Sequence, residues 1–177
     1  DNITEQLSRL NLSANIDESI FEKQFEDEII LCLNYDGLYG INNINRFLQS
    51  DNENTPFNWG IWTYKVNDPI LFNETKFFAP IFYNNLKGKI NDIKIYEDFI
   101  EFEVTVDRVL KAFDFEENKN VEFIDYPEKG KTKVRFKVNK SDDGEEDDDM
   151  ESNKIVPFQI AYAISIHKAQ GLEYDSV

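Results

Sequence analysis

The spacing of apolar positions changes along this chain, and each change marks a different kind of element. "EIILCLNYDGLYG" opens with an unbroken apolar run from Ile29 to Leu33, stops at Asn34 and then meets glycines at 37 and 40. That pattern predicts a buried strand followed by a glycine turn. "INNINRFLQS" places Ile41, Ile44 and Leu48 on one face of a short helix. Strand, glycine turn and helix in that order are an α/β signature. Upstream, residues 2–28 have mixed helical periodicity around Ile20, Phe21 and Phe25, and a helix is expected there.

"DNENTPFN" has the composition of a linker. From Trp59 to about Val138 the period becomes two. In "FIEFEVTVD" Ile100, Phe102, Val104 and Val106 alternate with Glu101, Glu103 and Thr105. In "KTKVRFKV" Thr132, Val134, Phe136 and Val138 alternate with Lys131, Lys133, Arg135 and Lys137. Strands of this kind, separated by Asn/Gly turns, predict a small antiparallel barrel or sandwich. "KIVPFQIAYAISIH" then returns to an apolar run, read as one strand over Ile160–Ile166. The expected class is α+β. Residues 1–56 and 152–177 form a partial α/β domain, residues 57–140 an inserted β-barrel, and residues 141–151 an acidic loop.

Composition narrows the class further. Apolar residues make up 41% of the 177, with 15 Phe, 8 Tyr and 2 Trp, enough for a folded core. No apolar stretch approaches the ~20 residues of a membrane helix, and "DNITEQLSRL" lacks the order of a signal peptide. Cys32 is the single cysteine, and no Cys/His spacing suits zinc. These features predict a reducing, cytoplasmic location without membrane association. The net charge is −16, and eight acidic residues fall within 141–152. Such charge disfavours nonspecific contact with nucleic acid, although binding depends on the local face.

Candidate chemistry concentrates in "AYAISIHKAQGLEYDSV", residues 161–177. Ligands of α/β sheets gather at the C-terminal ends of strands. Ser165, His167 and Lys168 offer donors for phosphate oxygens, Gly171 allows close backbone approach, and Glu173 can accept from a ribose hydroxyl or orient a water. None is a nucleophile beside a base. The plainer reading is a loop capping a helix over Gln170–Glu173, with a surface lysine. Two further groups carry double readings. The cationic face Lys131, Lys133, Arg135 and Lys137 can track phosphates, but a cross-strand ladder with Glu101 and Glu103 is the favoured explanation. Trp59, Trp62 and Tyr64 can stack on bases, but more often such residues pack in a core. The tripeptide Gly130–Thr132 spells the end of a phosphate-binding loop. Asp125 stands where that loop needs its first glycine, and a strand-like run follows instead of a helix.

The order of residues in "AYAISIHKAQGLEYDSV" resembles motif V of superfamily 1 helicases of the RecD/UvrD-like group, with their His-Lys-(Ser/Ala)-Gln-Gly core. "ILCLNYDGLYGINNINRFLQ" is similar to the segment near motif IV of that group. "YKVNDPILFN" followed by "IFYNNLKGKI" resembles the paired Gly-Asp-x-Val and Tyr-Asn-Gly-x-x-Gly segments that open the β-barrel insert. Asn67 stands where the family often has glycine, Asn85 replaces another glycine, and Ser165 replaces a frequent threonine. The resemblance spans roughly residues 29–95 and 154–177. It implies most of a second RecA-like domain with an SH3-like insert, part of an ATP-dependent DNA helicase of repair or recombination.

By the same resemblance, Ser165, His167, Lys168 and, more weakly, Asn34 would meet the backbone of single-stranded DNA, with RNA as the alternative. Gln170, Gly171 and Glu173 would face the nucleotide. ATP and Mg2+ would belong to the longer parent protein, whose N-terminal RecA-like domain would be the partner. This chain, with neither a Walker A motif nor the family's final arginine motif, would bind neither alone and catalyse nothing alone. The resemblance also implies 5′-to-3′ movement. Two other readings compete: an acidic β-barrel module that recruits another protein, and a DNA-mimicking inhibitor.

Overall fold

The computed structural model describes residues 29–37, 40–140 and 153–170. The helix expected within 2–28, the acidic loop, Gly171 and Glu173 lie outside the described residues. The class is α+β. Strand β1 (Ile30–Cys32) leads through a turn at Gly37, whose φ of 92° suits a residue without Cβ, into helix α1 (Ile41–Asp51). Hairpin strands β2 (Phe57–Trp59) and β3 (Trp62–Tyr64) follow. Then come β4 (Pro69–Phe72), β5 (Lys87–Ile95), β6 (Phe99–Val106), helix α2 (Ala112–Glu117), β7 (Val121–Asp125) and β8 (Thr132–Asn139). The described residues close with β9 (Phe158–Ile160), β10 (Ala163–Ser165) and helix α3 (Ile166–Ala169).

Two sheets carry the architecture. β1 and β10 pair in parallel, Cys32 opposite Ser165. Six strands form an antiparallel ladder in the order β7-β8-β6-β5-β4-β9. No pairing joins its two ends, yet the ladder is strongly curled. Phe136 of β8 and Phe72 of β4 are three strands apart, about 14 Å if the sheet were flat, but their rings lie 6.4 Å apart. Phe136 also reaches Phe158 of β9, one strand further on, at 6.3 Å. The concave side encloses one core in which Phe72, Phe78, Phe82, Phe102 and Phe136 are fully buried. The alternation read in the sequence is realised: Ile100, Phe102, Val104 and Val106 point inward opposite Val138, Phe136, Val134 and Thr132.

β4 joins the layers. Its "PILF" is buried on both faces, which accounts for an apolar run without alternation. Ile70 and Phe72 enter the curled core, while Leu71 meets Ile29, Ala161 and Ile164 behind the parallel pair. Helix α1 covers the other side of that pair through Ile41 and Ile44, against Cys32 and Ala163.

Three expectations are corrected. The run Ile160–Ile166 is not one strand: β9 ends at Ile160 on the antiparallel sheet, and β10 begins at Ala163 on the parallel one. The bend between them is imposed from outside by Asn45. Its Nδ2 donates to the carbonyls of Ile160 (3.1 Å) and Ala163 (3.0 Å), and its Oδ1 accepts from the Ala163 N–H (2.7 Å). Helix α2 interrupts a stretch read as strands; at six residues it is too short to show a helical period. The last two residues of "DNENTPFN" begin β2 rather than continuing a linker.

Candidate functional site

The parallel register brings together two segments far apart in sequence. With Cys32 opposite Ser165, the chain leaves β1 through Asn34 and leaves β10 into α3 at the same sheet edge. Asn34 is exposed, and its carbonyl accepts the Ile41 N–H at 3.0 Å, tying the strand exit to the start of α1. Ser165 is buried, and its Oγ accepts the Lys168 N–H at 3.2 Å. Its hydroxyl therefore caps α3; of the helix expected over Gln170–Glu173, only Gln170 is among the described residues. His167 and Gln170 are exposed.

Lys168 is not a plain surface lysine. Its half-buried ammonium donates to Asn73 Oδ1 at 2.8 Å and Gln159 Oε1 at 2.9 Å. Both acceptors are neutral amides, and among the described residues no carboxylate pairs with this ammonium. Asn73 follows β4 and Gln159 sits on β9, so this one side chain fastens α3 to the antiparallel sheet. Sequence reading named Lys168 but missed both of its holders, since neither lies near it in the chain. It also missed Tyr35 and Leu33, exposed beside Asn34 at the same edge, where "LNYDG" carried the signal. Cys32, under this edge, is buried, and burial pushes its thiol pKa up, away from reactivity.

At the other end of α1, Asn45, Gln49 and Asn52 form a polar stripe at helical spacing. Gln49 and Asn52 donate to the fully buried Asp68 carboxylate at 2.6 and 2.9 Å, and the Lys65 N–H (2.8 Å) and Tyr162 hydroxyl (2.8 Å) complete its shell. Burial first, and then the Asp68 charge, push the Tyr162 phenol pKa upward. Asp68 thus locks α1, the hairpin root and the approach to β10 to one another. Asn67 and Asn85, the two positions where glycine was expected, have φ of 70° and 68°. These are left-handed angles that Asn tolerates better than most residues.

The other candidates separate cleanly. Arg135 bonds Glu103 and lies 3.3 Å from Glu122, Lys137 lies 3.8 Å from Glu101, and Lys131 lies 2.9 Å from Glu128. The ladder reading of the cationic face holds for Arg135 and Lys137, whereas Lys131 pairs locally in the turn before β8. Thr132 begins β8, with its Oγ1 accepting the Leu110 N–H at 2.9 Å, so "GKT" is no phosphate loop. Tyr64 is core, in edge contact with Phe102 at 5.3 Å; Trp59 packs on that core, and Trp62 is exposed.

The fold and this edge define an α+β chain in which an antiparallel insert interrupts a parallel, helix-covered strand pair. No protein-family model and no curated protein matches it. Among solved structures it is similar to a Pif1 helicase from Bacteroides, crystallised as a double cysteine mutant, at 12% identity and a TM-score of 0.35. That likeness covers 90% of this chain but 35% of the helicase chain, so the chain spans about a third of that protein's length. So distant a likeness assigns no function. Among the described residues, no helix is long and apolar enough to cross a membrane, and no acidic, His or Cys cluster could hold a metal ion.

Proposed function

We propose that the chain is the second motor domain of an ATP-driven superfamily 1 helicase, gripping single-stranded nucleic acid at the edge formed by Asn34 and α3. The observation that carries this reading is the Lys168 ammonium, held between two amide oxygens at the end of a parallel strand. Such a group is pre-positioned for a phosphate. Asn34 and His167, both exposed, supply neighbouring donors, while the buried Ser165 caps α3. Gln170, exposed at the end of α3, has its amide open to a ligand. With Gly171 and Glu173 it faces the nucleotide, and ATP with Mg2+ supplies the free energy that alternates the grip. On this reading an N-terminal RecA-like domain of the same protein completes the nucleotide cleft.

The direct test is the salt dependence of binding to a labelled oligo(dT) strand by the full-length protein and its Lys168→Ala variant. Loss of one phosphate contact weakens binding and lowers the slope of log K against log salt by about 0.7. Equal affinity and equal slope would remove Lys168 from the interface.

One observation favours the acidic interaction module as the second reading. Val109, Phe113, Phe123 and Tyr126 are exposed around α2 and the open edge of β7, a surface suited to another protein. A full-length protein that folds but neither hydrolyses ATP nor binds single strands would establish that alternative.

A further inference from the structure

The β2-β3 hairpin stands apart from the rest of the surface. Between Glu53 and Lys65 no residue is charged, in a chain of net charge −16. Trp59 pairs with Trp62 across a two-residue turn, Gly60-Ile61, with Gly60 at φ 59° in the glycine-first pattern of a type II′ turn. Ile61 at the tip is 90% exposed and Trp62 beside it is 59% exposed. The root is rigid. Phe57 and Trp59 pack on the curled core, Tyr64 is buried in it, and Gln49 of α1 donates to the Thr63 carbonyl at 3.0 Å. The opposite face is polar but uncharged, with the Thr63 hydroxyl bonded to Asn58 Oδ1 at 2.9 Å.

We infer that this hairpin tip is a second nucleic-acid contact, at which Trp62 stacks on an unpaired base and Ile61 wedges beside it. The inference rests on the nucleic-acid reading above and adds a base-reading element to its phosphate-gripping edge. Two considerations select the occupant. No acidic side chain between Glu53 and Lys65 opposes a polyanion along this arm, so a strand approaches it without local like-charge repulsion. A stable protein interface also needs about 1,000 Å² of total buried area, more than two side chains on a narrow tip supply. One indole face suffices for a base, and stacking tolerates any sequence. Trp59 and Tyr64, spent on packing, take no part.

The test compares the full-length wild type with Trp62→Ala, Trp62→Phe and Lys168→Ala. Each is titrated with fluorescein-labelled oligo(dT) and with an abasic strand of equal length, after matched thermal melts confirm folding. The expected result is a loss of about tenfold or more in oligo(dT) affinity for Trp62→Ala, largely restored in Trp62→Phe. On the abasic strand the difference between wild type and Trp62→Ala disappears, while Lys168→Ala weakens binding to both strands. Wild-type binding with Trp62→Ala unchanged within twofold would overturn this inference and leave the phosphate-gripping edge standing. A loss in Trp62→Ala that persists on the abasic strand would also overturn it, since stacking requires a base. Wild type that binds neither strand would overturn both readings.

Discussion

Asn67 and Asn85 illustrate how a single residue type serves a backbone demand. Both hold left-handed φ, which costs a residue with Cβ about 1–2 kcal/mol unless its side chain offsets part of that cost locally. Replacing either by alanine is therefore expected to destabilise the protein by about 1 kcal/mol, and replacing it by glycine to change stability by no more than about 0.5 kcal/mol. Urea midpoints at constant m-value read this directly, and alanine variants as stable as wild type would remove the strain argument. At this scale the sequence was informative. The two positions stood out because asparagine occupied places where the resembling segments carry glycine, and the geometry supplies the reason. Lys168 was legible as a cation but not as a held one, because Asn73 and Gln159 reach it only through the tertiary fold.

Among the elements, those with a one-sided environment were readable. β6 and β8 alternate because one face meets the phenylalanine core and the other carries the Glu101–Lys137 and Glu103–Arg135 ladder. The bend between β9 and β10 was not readable. The run is apolar throughout, and its break is imposed by Asn45 and by Tyr162 turning to Asp68. That turn has a consequence for alkaline stability. The Tyr162 and Tyr64 phenols start from an ordinary value of 10.0, and in the folded protein both are raised, by burial first. Their contribution to stability is complete below pH 10 and is lost as pH climbs above it through the raised folded-state values. Tyr162→Phe removes one donor from Asp68, costing about 2 kcal/mol at neutral pH, and makes the alkaline loss shallower. Parallel melts from pH 7 to 11 would show converging curves; curves that stay parallel would mean Tyr162 does not contribute to the alkaline loss.

Across the whole molecule, the charge of −16 acts on stability as well as on partners. Repulsion among exposed carboxylates is relieved as the Debye length shortens from about 30 Å at 0.01 M salt to about 8 Å at 0.15 M. The melting temperature is accordingly expected to rise over that interval, and a flat or falling profile would show that paired charges dominate. On the proposed reading, nucleic-acid contact belongs to local features, the α3 edge and the uncharged hairpin, which net charge alone conceals. The measurement that bears most directly on the motor reading is ATP hydrolysis by the full-length protein, with and without single-stranded DNA, comparing wild type with Lys168→Ala and Glu173→Ala. The account predicts turnover stimulated by the strand. It predicts that Lys168→Ala needs more DNA to reach that stimulation, and that Glu173→Ala loses turnover at least about tenfold even at saturating DNA. A folded full-length protein whose hydrolysis is absent or indifferent to DNA would contradict it.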